Sequence, residues 1–217
     1  MLNKQSGNMY AFVTHTWNPI KGKCSHDCSY CYMKRFPQKP IRLDEKDLYT
    51  KLGEGNFIFV GSSTDMFAED VPQEWIDRVF EVCVKYPDNT YLFQSKNPRR
   101  LCAPDVPFVF GTTIESNWPY PNSLAPDVAE RAEYMHKYSK VGIRTMVTIE
   151  PIMDFDIDEM VEVIEYCNPE WVNVGADSGG NHLPEPSRRD IEKLIQRLSR
   201  FTEVKQKANL ARIYGVS

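Results

Sequence analysis

The sequence predicts an α/β protein, a partial (βα)6 barrel of parallel strands. Two observations predict it. Six short apolar runs rich in β-branched and aromatic residues recur at fairly regular intervals. Most are nearly continuous, as strands buried on both faces of a parallel sheet are. Between them lie stretches with helical spacing, and alternating strands and helices imply right-handed crossovers. Six such units suit an open barrel better than a closed eight-stranded one.

The strand candidates are AFVTHTW (11–17), NFIFVGS (56–62), TYLFQS (90–95), PFVFGTTI (107–114), IRTMVTI (143–149) and WVNVGA (171–176). A helix is expected over 73–86, where Trp75, Ile76, Val79, Phe80, Cys83 and Val84 follow a 3–4 spacing after Pro72. Pro126 opens a second over 126–140, with Val128, Ala132 and Met135 on one side. Ile157, Met160, Val161 and Ile164 stripe a third over 156–167. Ser187 is a plausible cap for a fourth over 187–201, which carries Ile191, Leu194, Ile195, Leu198 and Phe201. Weaker helical signals lie at 44–52 and 97–103. In such folds ligands sit at the C-terminal ends of the strands.

The 217 residues are read as one domain, 1–217, with no internal repeat. Hydrophobic residues make up 41% and charged residues 26%, an ordinary globular balance. A net charge of −4 argues against coating nucleic acid by bulk electrostatics, but not against a nucleotide held by a local basic patch. No apolar run reaches the roughly 18 residues that span a bilayer. MLNKQSGNMYAF lacks the apolar stretch of a signal peptide, so a cytoplasmic location and no membrane partner are expected.

Three of the six cysteines, Cys24, Cys28 and Cys31, fall within eight residues directly after the first strand, in a polar loop with Ser25, His26, Asp27 and Ser29. Soft thiolates select zinc, copper(I) or an iron–sulfur cluster. Three cysteines with no close fourth leave one iron of a cluster open. The spacing of three residues then two, with the aromatic Tyr30 before the last cysteine, resembles the signature of the radical S-adenosylmethionine (SAM) superfamily. The competing reading is a non-catalytic zinc-binding interaction module using the same cysteines and His26. Thr16-Trp17-Asn18-Pro19, Gly61-Ser62-Ser63-Thr64-Asp65, Thr148-Ile149-Glu150-Pro151 and Gly175-Ala176-Asp177-Ser178-Gly179 resemble a small phage-associated and bacterial branch, largely without assigned function.

The resemblance implies a radical SAM core that covers nearly the whole chain. It implies a 4Fe–4S cluster on Cys24, Cys28 and Cys31, and reductive cleavage of SAM to a 5′-deoxyadenosyl radical that abstracts hydrogen from a substrate. Ser62, Ser63 and Asp65 stand where the superfamily often carries Gly-Gly-Glu for the methionine amino group. Thr113 and Glu115 suit the ribose, and Tyr30 and Gly175 the adenine. Glu150 serves either SAM or the substrate. On this reading, losing Glu115 weakens SAM binding and leaves the cluster intact. Lys96, Arg99 and Arg100, with Arg188 and Arg189, suggest an anionic substrate such as a nucleotide or nucleic-acid base. His15, Trp17, Asn18, Trp118, Tyr120 and His182 are candidate substrate contacts, and 116–126 a candidate lid. A small electron donor such as flavodoxin or ferredoxin is the expected partner. Cys83 and Cys167 read as core or surface residues, and Cys102 as a weak candidate hydrogen-atom donor.

Overall fold

The structure is a computed structural model that describes residues 1–37 and 39–215. The span 1–217 expected for the domain therefore includes three residues outside those described. An eight-stranded sheet forms the centre, ordered β1 (Leu2–Lys4), β2 (His15–Trp17), β5 (Phe57–Val60), β6 (Thr90–Gln94), β7 (Phe108–Thr113), β8 (Thr145–Ile149), β9 (Trp171–Val174) and β10 (Glu203–Gln206). All pairings from β2 to β10 are parallel, and β1 alone runs antiparallel, against β2. A two-stranded ladder of β3 (Ile20–Lys21) and β4 (Arg42–Leu43) brackets the cysteine loop. The predicted partial barrel is thus the fold, with a seventh parallel strand and an antiparallel edge added.

Four long helices cross over where the periodicity placed them: α1 (Gln73–Val84), α2 (Val128–Lys140), α3 (Ile157–Cys167) and α4 (Arg188–Leu198), followed by a short α5 (Ala211–Tyr214). Ser187 caps α4 as expected, accepting from Asp190 N–H, and Asp127 and Asp156 cap α2 and α3 in the same way. The weak signals at 44–52 and 97–103 resolve into 3-10 turns, Glu45–Tyr49 and Pro98–Arg100. No described helix is long and apolar enough to cross a membrane.

Alternation along the strands divides the core in two. Ile58, Val60, Tyr91, Phe93, Phe110, Val147, Ile149, Val172 and Val174 face outward into the layer of helices. Phe59, Leu92, Val109, Met146 and Trp171 face the lumen. The lumen is filled from below by Tyr10 and Val13, with Phe12 packed edge-on to Phe57 and Trp171. The expected first strand therefore begins late. Residues 10–13 are apolar because they plug the barrel, and only 15–17 pair. Cys83 and Cys167 lie in the core, while Cys102 is exposed.

Candidate functional site

The cysteine loop lies across the C-terminal ends of β5, β6 and β7, tied there by side chains from each. After β5, Gly61 turns the chain at φ +78°, and Asp65 is delivered beneath the loop. Its Oδ2 takes His26 Nε2 at 2.8 Å, Ser95 Oγ at 2.9 Å and Lys96 N–H at 3.0 Å, while Oδ1 accepts from Phe67 N–H at 2.9 Å. Burial pushes the Asp65 carboxyl up, but His26 and the backbone donors outweigh it and hold it below the usual range. The expected SAM contact Asp65 is thus a tie between β5, β6 and the loop.

After β6, Lys96 is buried, with only 9% of its surface exposed. Its Nζ lies 3.4 Å from Cys28 Sγ and 3.0 Å from Glu115 Oε1, touches the Tyr30 hydroxyl, and sits 4.5 Å above the Tyr30 ring. After β7, Glu115 also accepts from Tyr30 OH, and its Oε2 from Arg131 of α2 at 2.8 Å. Burial opposes ionisation of Glu115, yet Lys96 and Arg131 hold its carboxyl down to about 2. A buried charge is retained only when paired and hydrogen-bonded, and this carboxylate is paired twice. Lys96, expected among the substrate cations, belongs instead to the wall behind Cys28.

Glu150, after β8, meets a different set. Lys207 Nζ lies 2.7 Å from its Oε2, and Asn8 and Asn209 donate to its Oε1 at 2.9 and 3.0 Å. Lys207 lies 4.6 Å over Tyr10, whose hydroxyl donates to Gln94 Oε1 at 2.9 Å, and Gln94 Nε2 donates to Thr113 Oγ1 at 3.2 Å. This chain of contacts crosses the lumen from the open edge to Thr113. Gly175 makes room for it, because a Cβ there would stand 2.8 Å from Glu150 Cδ. Gly175→Ala is expected to displace Glu150 from Lys207 and to cost about 1–3 kcal/mol by overpacking. An unshifted urea midpoint would show that the glycine is not required.

Ser62 Oγ and Ser63 N–H both donate to Asn18 Oδ1, at 3.2 and 3.0 Å. Trp17 is fully buried with its indole N–H on Asp47 O, a core residue and not a stacking platform. Arg99 pairs with Glu69, Arg100 donates to the Ala68 and Val71 carbonyls, and Arg188 pairs with Glu192, so none of these is a free cation. Segment 116–126 is docked on the cysteine loop: Ser29 N–H donates to Asn122 O at 2.8 Å and Leu124 N–H to His26 O at 2.7 Å. A concavity of about 930 Å³ opens beyond β9 and β10, lined by Asp177, Ser178, His182, Glu185, Asn209 and Arg212.

Among the described residues no three His, Cys, Asp or Glu side chains converge on one metal ion. His26 is committed to Asp65. Three soft thiolates in one loop are a donor set for an iron–sulfur cluster as for zinc, and Lys96 adds a positive charge beside Cys28 Sγ.

The residues that sequence reasoning missed are Arg131, Lys207, Asn8, Asn209 and the Tyr10 plug. Arg131 had a signal: it adjoins the apolar stripe Val128–Ala132–Met135, where a cation requires a buried partner. Lys207 and Asn209 follow a strand too polar to recognise.

The fold matches structures of radical SAM enzymes. A variant of spore photoproduct lyase with bound AdoMet and dinucleoside spore photoproduct superposes with a TM-score of 0.57 at 13% identity, over 91% of this chain and 64% of that one. Streptococcus suis SuiB bound to its precursor peptide SuiA gives 0.61 at 10%, over 92% and 50%. SuiB bound to S-adenosylmethionine gives 0.57 at 10%, over 88% and 49%. The chain thus spans about half to two-thirds of the length of these enzymes, and the likeness is one of fold. The chain belongs to the family DUF5131, described as a protein of unknown function, whose model matches residues 8–189. No curated protein matches it.

Proposed function

We propose that this chain is a radical SAM enzyme in which Cys24, Cys28 and Cys31 hold a 4Fe–4S cluster. The observation that carries the reading is the anchoring of the three-cysteine loop over the strand ends of a parallel partial barrel, with Lys96 Nζ 3.4 Å from Cys28 Sγ. When bound, the cluster supplies the electron that cleaves SAM to methionine and a 5′-deoxyadenosyl radical, which abstracts hydrogen from an organic substrate. The chain's own residues orient and shield. Ser62, Ser63 and Thr113 offer hydroxyls to SAM, Tyr30 flanks the adenine, and Gly175 serves the site by leaving room for Glu150. Asp65 and Glu115 act by holding the loop and Lys96 in place, and Glu150 organises the open edge.

The substrate class proposed is a nucleotide or nucleic-acid base. Spore photoproduct lyase, of the same fold, binds a dinucleoside, and the concavity beyond β9 and β10 has room for such a group. A cytoplasmic setting and a flavodoxin or ferredoxin as electron source complete the reading. Anaerobically reconstituted protein given dithionite and SAM is expected to release 5′-deoxyadenosine even without its substrate. A fully loaded protein that neither binds SAM nor turns it over would sink the proposal.

A further inference from the structure

We propose that the face built by residues 21–37 and 39–42 around the cysteine loop docks a small acidic one-electron carrier protein. This rests on the cluster reading above and adds where the electron enters. Six of the chain's 26 Lys and Arg but only one of its 30 Asp and Glu lie in this segment, so it carries +5 while the remainder carries −9 of the net −4. A cationic island in an anionic protein marks a place where a negative partner is steered.

The fold gathers the island instead of stringing it out. Lys23 N–H donates to Lys39 O at 2.9 Å, bringing the two ends of the loop together. Lys21 and Arg42 oppose each other in the β3–β4 ladder. Lys21, Lys39 and Arg42 line one concavity of about 340 Å³ with Met33, Pro37 and one carboxylate, Asp47. Internal acids neutralise part of the charge: Lys21 binds Asp44 and Asp47, and Lys23 and Lys34 share Asp27 at 3.2 and 3.0 Å. Arg35, Lys39 and Arg42 are exposed and form no ion pair among the described residues. Tyr32 and Phe36, 52% and 56% exposed, add aromatic surface among these cations. Aromatic contacts inside a charged rim are the composition of a docking patch.

Position selects the occupant. The 3-10 turn Tyr32–Arg35 starts at Cys31, with Lys34 N–H donating to Cys31 O at 3.0 Å, and Cys31 itself is half-buried. A protein seated on Arg35, Lys39 and Arg42 therefore abuts a cluster ligand, and electron transfer is favoured by short distance. In the step, the carrier is oxidised by one electron as the cluster is reduced by one.

The test compares the parent with an Arg35→Glu/Lys39→Glu/Arg42→Glu variant, both reconstituted and matched for iron. Each is mixed anaerobically with reduced flavodoxin, or with reduced methyl viologen, a small cation, and the loss of cluster absorbance is followed in stopped flow. With flavodoxin at low ionic strength the variant is expected to react at least about tenfold more slowly. The deficit should shrink as salt screens the attraction, and methyl viologen should reduce both proteins comparably or the variant faster. An unchanged flavodoxin rate and salt dependence overturns the proposal. Equal slowing with methyl viologen also overturns it, because the substitutions then act on the cluster. So does a variant that keeps its flavodoxin rate but loses retention of a single-stranded oligonucleotide, which assigns the face to nucleic acid. A parent that takes up no iron, or that methyl viologen cannot reduce, fails at the cluster reading itself and is recognised as such before any variant is compared.

Discussion

Replacing Cys24, Cys28 and Cys31 together with alanine is expected to abolish iron binding. The parent, reconstituted anaerobically, should be brown and hold about four irons per chain; the variant should be colourless with none above background. The effect is total because the loop carries no thiol besides these three. Cys83 and Cys167 are buried in the core, and burial pushes the Cys167 thiol up to about 12. His26 is held by Asp65. The scaffold should survive, since the loop is also held by Asp65, by the Ser29 and Leu124 backbone bonds, and by the Tyr30–Glu115 contact. Circular dichroism on the same samples checks that. Stoichiometric zinc in a colourless parent would return the protein to the zinc-module reading.

How much of this was legible depends on whether a residue's role is written in its own neighbourhood. Thr90–Gln94 and Thr145–Ile149 were legible because both faces are buried, one by the helices and one by the lumen, so the run is nearly all apolar. Glu203–Gln206 was not, because it lies at the sheet edge, is half-exposed, and reads Glu-Val-Lys-Gln. Its loss hid Lys207 and Asn209, and with them the partners of Glu150. The cysteine loop stood out in the sequence because three thiols and an aromatic within eight residues form a local pattern. Its supports did not. Asp65, Lys96, Glu115 and Arg131 are distant in sequence and meet only when three parallel strands stop at one height. Sequence reasoning placed Lys96 and Glu115 at strand ends but assigned them to ligands. A carboxylate that follows an apolar run does need a partner; here the partners are two cations of the chain itself.

That reassignment changes what loss of Glu115 should do. Glu115→Ala was expected from sequence to weaken SAM binding and spare the cluster. In the structure it leaves Lys96 and Arg131 as buried cations without their shared anion, and removing one partner of such a network costs about 3–5 kcal/mol. The variant is therefore expected to unfold at clearly lower urea and to take up iron poorly, since Lys96 and Tyr30 lose the group that holds them against Cys28. Glu115→Gln keeps the shape and removes the charge, and should show most of the same loss. The pH dependence separates charge from shape. The Glu115 carboxyl is held down to about 2 in the fold against 4.5 for the free group, so its contribution is present above about pH 5 and lost as pH falls toward 2. Two to three pH units correspond to about 3 kcal/mol. The parent's urea midpoint should thus fall more steeply than that of Glu115→Gln between about pH 5 and 3. Parallel acid profiles, with iron uptake unchanged and only SAM affinity reduced, would place Glu115 on the ligand after all.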